Sequence, residues 1–250
     1  MEVHHHSHPS SSSGSPKKWH HYFWEFFMLF LAVTLGFLVE NMREHVVDHK
    51  KEMQYVRSYT EDMHDDMYQL DSLINYNRYR NNIMDSLTQI LNTPDPDQYG
   101  KKLYYYARML TLTFPFFSND RTIQQLKNGG NLRLIKKQDV SNAMMDYDRK
   151  IRFVDNIRSR EEDYVREYVQ WLEEVLDGRV FNEMMSSKFT MNLPPGNPQM
   201  LKKDKATILK FIIKIHFLKA ANSFSYISLV KAKQIAQKTL DIIKEEYHVE

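Results

Sequence analysis

The densest group of chemistry-bearing side chains is Glu61, Asp62, His64, Asp65 and Asp66. On a helix, Asp62 and Asp66 stand i and i+4 on one face, and Glu61 and Asp65 repeat that spacing one step round. His64 adds a nitrogen donor, so Asp62, His64 and Asp66 form the best candidate cation site. A metal needs three or four converging ligands, and one helix rarely supplies them. Neither Glu-x-x-His nor His-Glu-x-x-His occurs in the chain. Met63 and Met67 hold the apolar positions of this stretch, so the acids are expected to face water and bind no metal. The weaker candidate is His4, His5, His6 and His8, a cluster able to take Zn or Ni. It is followed by a serine run, and a solvated tail is the expectation there.

Other chemistries find less. Asn128-Gly129-Gly130-Asn131 lacks the Gly-Lys-Ser/Thr ending of a phosphate loop and reads as a helix stop. There is no Gly-x-Ser-x-Gly elbow and no dinucleotide fingerprint. The chain has no cysteine, which excludes disulfides, thiolate metal sites and a cysteine nucleophile. Charges nearly cancel at +2, without the basic excess of a nucleic-acid binder. Lys202, Lys203 and Lys205 form a small basic patch that reads as a solvated helix start. Tyr104-Tyr105-Tyr106 and Phe114-Pro115-Phe116-Phe117 read as core or interface, with Phe116 and Phe117 the better pair for touching a partner or a membrane surface. The expectation is therefore no catalytic residue, no cofactor and no metal.

The elements that must position these residues begin with an apolar run. Tyr22 to Val39 carries one charge, Glu25. With Trp19 to His21 it reaches the length of about 20 residues that a bilayer core requires of a helix. Trp19, Tyr22 and Trp24 crowd one end, as an interfacial belt does. Past Glu25 only Thr34 is polar, whereas a buried core helix would show polar residues every 3.6 positions. The run exceeds a signal peptide's apolar region, and Phe37-Leu38-Val39-Glu40 is too bulky to be a cleavage site. An uncleaved signal-anchor helix over 19–39 is expected. Glu25 lies one turn inside it, near enough to the headgroups to reach water and pair with Lys17 or Lys18. Lys17 and Lys18 on one side, against Arg43, Lys50 and Lys51 on the other, nearly balance; the short tail tips the expected orientation towards a cytoplasmic N-terminus. Residues 1–18 cannot bury a core and are expected to be disordered.

Beyond the span, 40–250 reads as an extramembrane helical domain. Met53, Val56, Thr60, Met63, Met67, Leu70 and Ile74 step by three and four. The register continues through Asn77, Asn81, Met84, Thr88 and Leu91, a heptad seam degraded by polar residues towards its end. Pro94 and Pro96 stop it. A helix over 98–112 follows, then a short one from Arg121 to Asn128 capped by Ser118-Asn119-Asp120 and ended by Gly129 and Gly130. A long helix from Gln138 ends at Asp177-Gly178, 179–203 is irregular around Pro194-Pro195-Gly196-Asn197-Pro198, and a last helix covers about 204–246. Lys210 and Lys214 interrupt its apolar stretch, which makes it amphipathic and not a second span. The fold class is all-α: one N-terminal transmembrane helix continuing into an antiparallel helical bundle.

The start MEVHHH, the stretch WEFFMLFLAVTLGFLVENMREH (Trp24 to His45), RSYTEDMHDD (Arg57 to Asp66) and TIQQLKNGGNLRLIKKQDV (Thr122 to Val140) resemble an uncharacterised single-span membrane protein family abundant in Bacteroidota. The resemblance covers roughly the first 150 residues and favours a native tail over a tag. It implies a membrane-anchored helical domain and carries over no activity or site residue. The expected role is a non-enzymatic helical interaction or scaffold module of the cell envelope, in the bacterial inner membrane with its C-terminal domain in the periplasm. Its expected partners are the lipid bilayer and either a protein or a second copy, met through the seam Met53, Val56, Met63, Met67, Leu70 and Ile74. The alternative is an extracytoplasmic ligand-sensing bundle that signals through a membrane partner.

Overall fold

The structure, a computed structural model, describes residues 17–187 and 190–249. Among them are six α-helices and no strand, only an isolated bridge between Met185 and Met191. The helices are α1 (Lys17–Leu91), α2 (Gly100–Met109), α3 (Arg121–Asn128), α4 (Gln138–Val175), α5 (Gly178–Glu183) and α6 (Lys205–Tyr247). The chain divides into two compact units, residues 1–51 and 52–250. In the first, the apolar side chains between Trp19 and Val39 are exposed, and the helix there is long and apolar enough to cross a membrane.

In the second unit the three long helices form the bundle. α6 runs antiparallel to both others, pairing Lys219 and Lys233 with Asp85 and Asp71 of α1, and Lys214 with Glu167 of α4. α1 and α4 run the same way: Tyr59 bonds the Met144 carbonyl, Tyr147 bonds Asp66, and Arg80 pairs with Glu161. Residues 92–137, which hold α2 and α3, provide the return that parallel neighbours need.

The boundaries have local causes. Between α1 and α2, Pro94 ends the first helix and the turn Pro96–Tyr99 starts the next. α2 begins at Gly100, where a Cβ would stand 2.0 Å from the Pro198 carbonyl oxygen. It ends at Met109, short of the expected 112, because neighbouring helices supply its caps: Tyr168 donates to the Ala107 carbonyl and Arg80 to that of Leu110. Gly130 takes the left-handed backbone (φ 63°) that stops the stretch after α3. The Asp204 side chain accepts from the Thr207 amide and starts α6. α5, in the stretch expected to be irregular, is capped likewise by Asp177 on Arg179.

The core is split. One apolar cluster joins Val56–Ile74 of α1 and Val140–Val154 of α4 to Leu229–Ile243 of α6 and the α3 region. The other joins Ile83–Leu91, Val165–Val175 and Phe211–Leu218 to α2, with Tyr168 stacked on Phe211 at 5.6 Å. Between them each long helix contributes polar residues: Asn77 and Arg80 from α1, Glu161 from α4, Asn222, Ser225 and Ser228 from α6, all buried.

Candidate functional site

Val56, Met63, Leu70 and Ile74 of the heptad seam are buried in the first apolar cluster, with Met67 packed against it and Met53 half-buried. The seam is thus occupied by the chain's own α4 and α6 and offers no open docking face. Its polar continuation is not decay either. Asn77 and Asn81 sit in the layer between the two cores, where the Asn222 amide donates to the Asn77 carbonyl (2.9 Å) and to Asn81 Oδ1 (3.0 Å).

The acidic cluster is arranged differently from the expectation that it faces water. Glu61, His64 and Asp65 are exposed, but Asp62 and Asp66 are only 2% and 1% exposed. The buried face of α1 is wider than a two-position seam and takes in the residue beside each Met. Both carboxylates clamp the start of α3. Asp62 accepts from the Thr122 amide (3.1 Å), the Thr122 hydroxyl and Arg121 (2.7 Å). Asp66 accepts from the Asn119 amide (2.7 Å), Ser118 (3.1 Å) and Tyr147 (2.8 Å). A carboxylate at a helix N-terminus satisfies orphan amides and complements the helix dipole. Among the described residues no three His, Asp or Glu side chains converge as a metal site would need, and His64 is exposed where the two aspartates are buried.

A cleft of about 260 Å³ opens beside this clamp, lined by Tyr59, Asp66, Phe116, Asp120, Tyr147 and Asp155 among others. Burial pushes Asp66 up from the ordinary carboxylate value, against the hydrogen bonds from Asn119, Tyr147 and Ser118 that favour its charged form. Asp155 is likewise raised, first by burial. Tyr59 and Tyr147 are held far above the usual phenol range by burial and the nearby aspartates, so both stay protonated and able to donate. Phe116 is core, at 7% exposure, while Phe117 stands out at 72%. A larger groove of about 720 Å³ runs between α4 and α6, with Phe153, Ile235 and Ile242 beside Asp146, Lys150 and Lys238. Burial and then Lys231 lower the pKa of Lys150, whose ammonium lies over the Phe153 ring.

The most constrained charges are ones that sequence spacing did not single out. Arg80, 2% exposed, pairs with Glu161, donates to Asn222 Oδ1 (2.8 Å) and caps the Leu110 carbonyl. Its signal was Asn77 and Asn81 on the seam, which marked where the core turns polar; Glu161, in a run of charges, gave none. No family model, no curated protein and no solved structure matches the chain.

The remaining candidates fall as follows. Trp19, Tyr22, Trp24 and Glu25 are exposed on α1. His4, His5, His6 and His8 lie outside the described residues, as does most of the 1–18 tail. Lys202 and Lys203 are paired with Glu174 and the buried Asp97, so the basic patch is largely neutralised; Asp97 also accepts from the Met200 amide, fixing the proline loop.

Proposed function

We propose that this chain is a membrane-anchored, non-enzymatic helical binding module of the bacterial cell envelope. The observation that carries the reading is the run from Trp19 to Val39, whose large apolar side chains find no cover among the described residues. Bilayer is the solvent that relieves such exposure, and the aromatic end of the run suits the interface. In this reading the N-terminus is cytoplasmic, the inner membrane holds the span and 52–250 works in the periplasm. A binding role, as against a catalytic one, is supported by the use of the buried acids: Asp62 and Asp66 direct their oxygens at residues 118–122 and Tyr147, which ties up both carboxylates in holding the fold. The groove between α4 and α6 favours a second reading, in which a small amphipathic ligand is sensed and reported to a membrane partner.

The test of the anchor is alkaline extraction of membranes from expressing cells, with protease protection of a C-terminal epitope. Retention in the pellet with the epitope shielded until the outer barrier is opened is expected; release into the supernatant would remove the anchor. A pull-down in mild detergent with mass spectrometry then addresses binding, and a stoichiometric envelope protein or a second copy is expected.

A further inference from the structure

The face of α6 that points away from the bundle is apolar. Leu209, Ile213, Phe217, Phe224 and Ile227 are each about half exposed, between 47% and 53%. With the exposed Ala220 among them they step by 4, 4, 3, 4 and 3 residues and fall within about 80° of arc on the helix. Phe211, Ile215 and Leu218, on the opposite side, are fully buried. Over this stretch α6 is therefore apolar on two faces, and the chain covers one. A contiguous apolar stripe left bare on a surface marks a contact site.

We propose that this outer face docks a second copy of the same chain. Read outward from Ala220, the stripe is the same in both directions: Ile213, Phe217, Ala220, Phe224, Ile227. A two-fold interface requires a self-complementary patch, and this order supplies one whether the copies lie parallel or antiparallel. Steps of three and four are the spacing of a helix–helix seam, and the small residue at the centre lets the backbones approach while the phenylalanines fill the space beside it. No charge falls on the seam between Ile213 and Ile227; Lys210 and Lys231 mark its two ends. Half of about 200 Å² for each of the four large side chains between those lysines gives roughly 400 Å² per copy. Two copies then bury about 800 Å² along the seam, and Leu209 with the flanking rim has to bring the total to the roughly 1,000 Å² of a specific interface. The inference rests on the reading of the chain as a binding module and names its partner.

The absence of cysteine makes the test direct. Full-length Ala220→Cys, expressed in cells and treated with a short bis-maleimide, should give an adduct of twice the chain mass of 30.0 kDa. Ile213→Cys alone should link if the copies are parallel, and Ile213→Cys mixed with Ile227→Cys if antiparallel. The control Asn82→Cys, on an exposed position of α1, should link at least tenfold less. Adding Phe217→Glu and Phe224→Glu to Ala220→Cys should abolish the adduct while the helical circular dichroism and melting temperature hold, since both rings are already half in water. A monomer with no adduct at Ala220→Cys overturns the proposal, as does equal linking at Asn82→Cys or an adduct whose mass belongs to another protein. None of these outcomes touches the membrane anchor, which stands or falls by extraction.

Discussion

α1 carries two buried polar clusters, and the chain treats them in opposite ways. At Asp62 and Asp66 the carboxylates sit at the edge of the first core and reach out to a connecting segment. Their partners are backbone amides, hydroxyls and one guanidinium, Arg121, that is 72% exposed. At Arg80 the charge lies between the two cores, with its partner Glu161 only 5% exposed and Asn222 fully buried. Arg80 Nε and Asn77 Nδ2 have no hydrogen-bond partner among the described residues. The edge cluster makes an irregular segment hold its place. The central one joins α1, α4 and α6 at a single level, and sliding any of the three by a turn would strand a charge or an amide in an apolar layer. We take its value to be register more than stability, as buried polar groups can act in other helical assemblies.

That contrast is broken most severely at the centre. Arg80→Ala leaves the buried Glu161 without its ion-pair partner and the Leu110 carbonyl without its donor, and should cost about 3–5 kcal/mol. Urea denaturation of the full chain in detergent, followed by circular dichroism, measures it. The sharper form is the double variant Arg80→Met with Glu161→Leu. If the layer serves register, the double variant should recover at least half of the loss, since an apolar pair of similar size avoids the desolvation of both charges. A double variant as unstable as Arg80→Ala would mean that the ion pair itself is a main source of stability.

The edge cluster should yield less. Asp62→Ala removes the acceptor of the Thr122 amide and hydroxyl, both buried, for about 1–3 kcal/mol. The exposed Arg121 contact adds little to that. The loss should be local: amide exchange across 118–128 should accelerate while that of Ile83–Leu91 is unchanged. Acceleration spread evenly over both cores would contradict the division drawn here. Tyr147→Phe, which deletes one neutral donor to Asp66 from a buried ring, should cost about 1 kcal/mol by the same measurements.

Much of this was legible beforehand, and the omissions share a cause. The apolar run 19–39, the stop after Leu91 and the helices at Arg121–Asn128 and Gln138–Val175 follow from local signals: length, proline, caps and three-four spacing. What was not legible depends on which residues meet across the chain. Nothing near Asp62 says that Thr122, 60 residues on, will need its oxygen. Glu161 lies in Arg158–Asp163, a run of charged residues broken only by Ser159, and only Arg80 on another helix turns it inward. Phe116 and Phe117 are adjacent and alike, yet one is core and the other surface because the segment between α2 and α3 is laid over α1. The outer face of α6 was hidden for a simpler reason. Composition marked its first half as very apolar, but separating a covered face from a bare one takes the positions of α1 and α4.

The smallest expected effect bears on charge alone. Burial raises the pKa of Asp66 in the folded chain above its ordinary value of 3.8. Between those two values the folded state binds more protons than the unfolded one, so this group's contribution to stability is fully present below the unfolded pKa. It is lost as pH rises through the folded pKa. Asp177 and Asp204, both lowered mainly by hydrogen bonds from Arg179 and Thr207, have the opposite dependence and mask it in the whole protein. The difference between the wild type and Asp66→Asn isolates it. Urea midpoints collected between about pH 4 and pH 7 should show the wild type losing ground relative to Asp66→Asn as pH rises, with the gap constant once Asp66 is fully ionised. Asp155→Asn, at the other side of the cleft, should show the same sign. A gap that moves the other way would mean that the donors from Asn119, Tyr147 and Ser118 outweigh burial, and the edge cluster would then be as well compensated as its hydrogen bonds suggest.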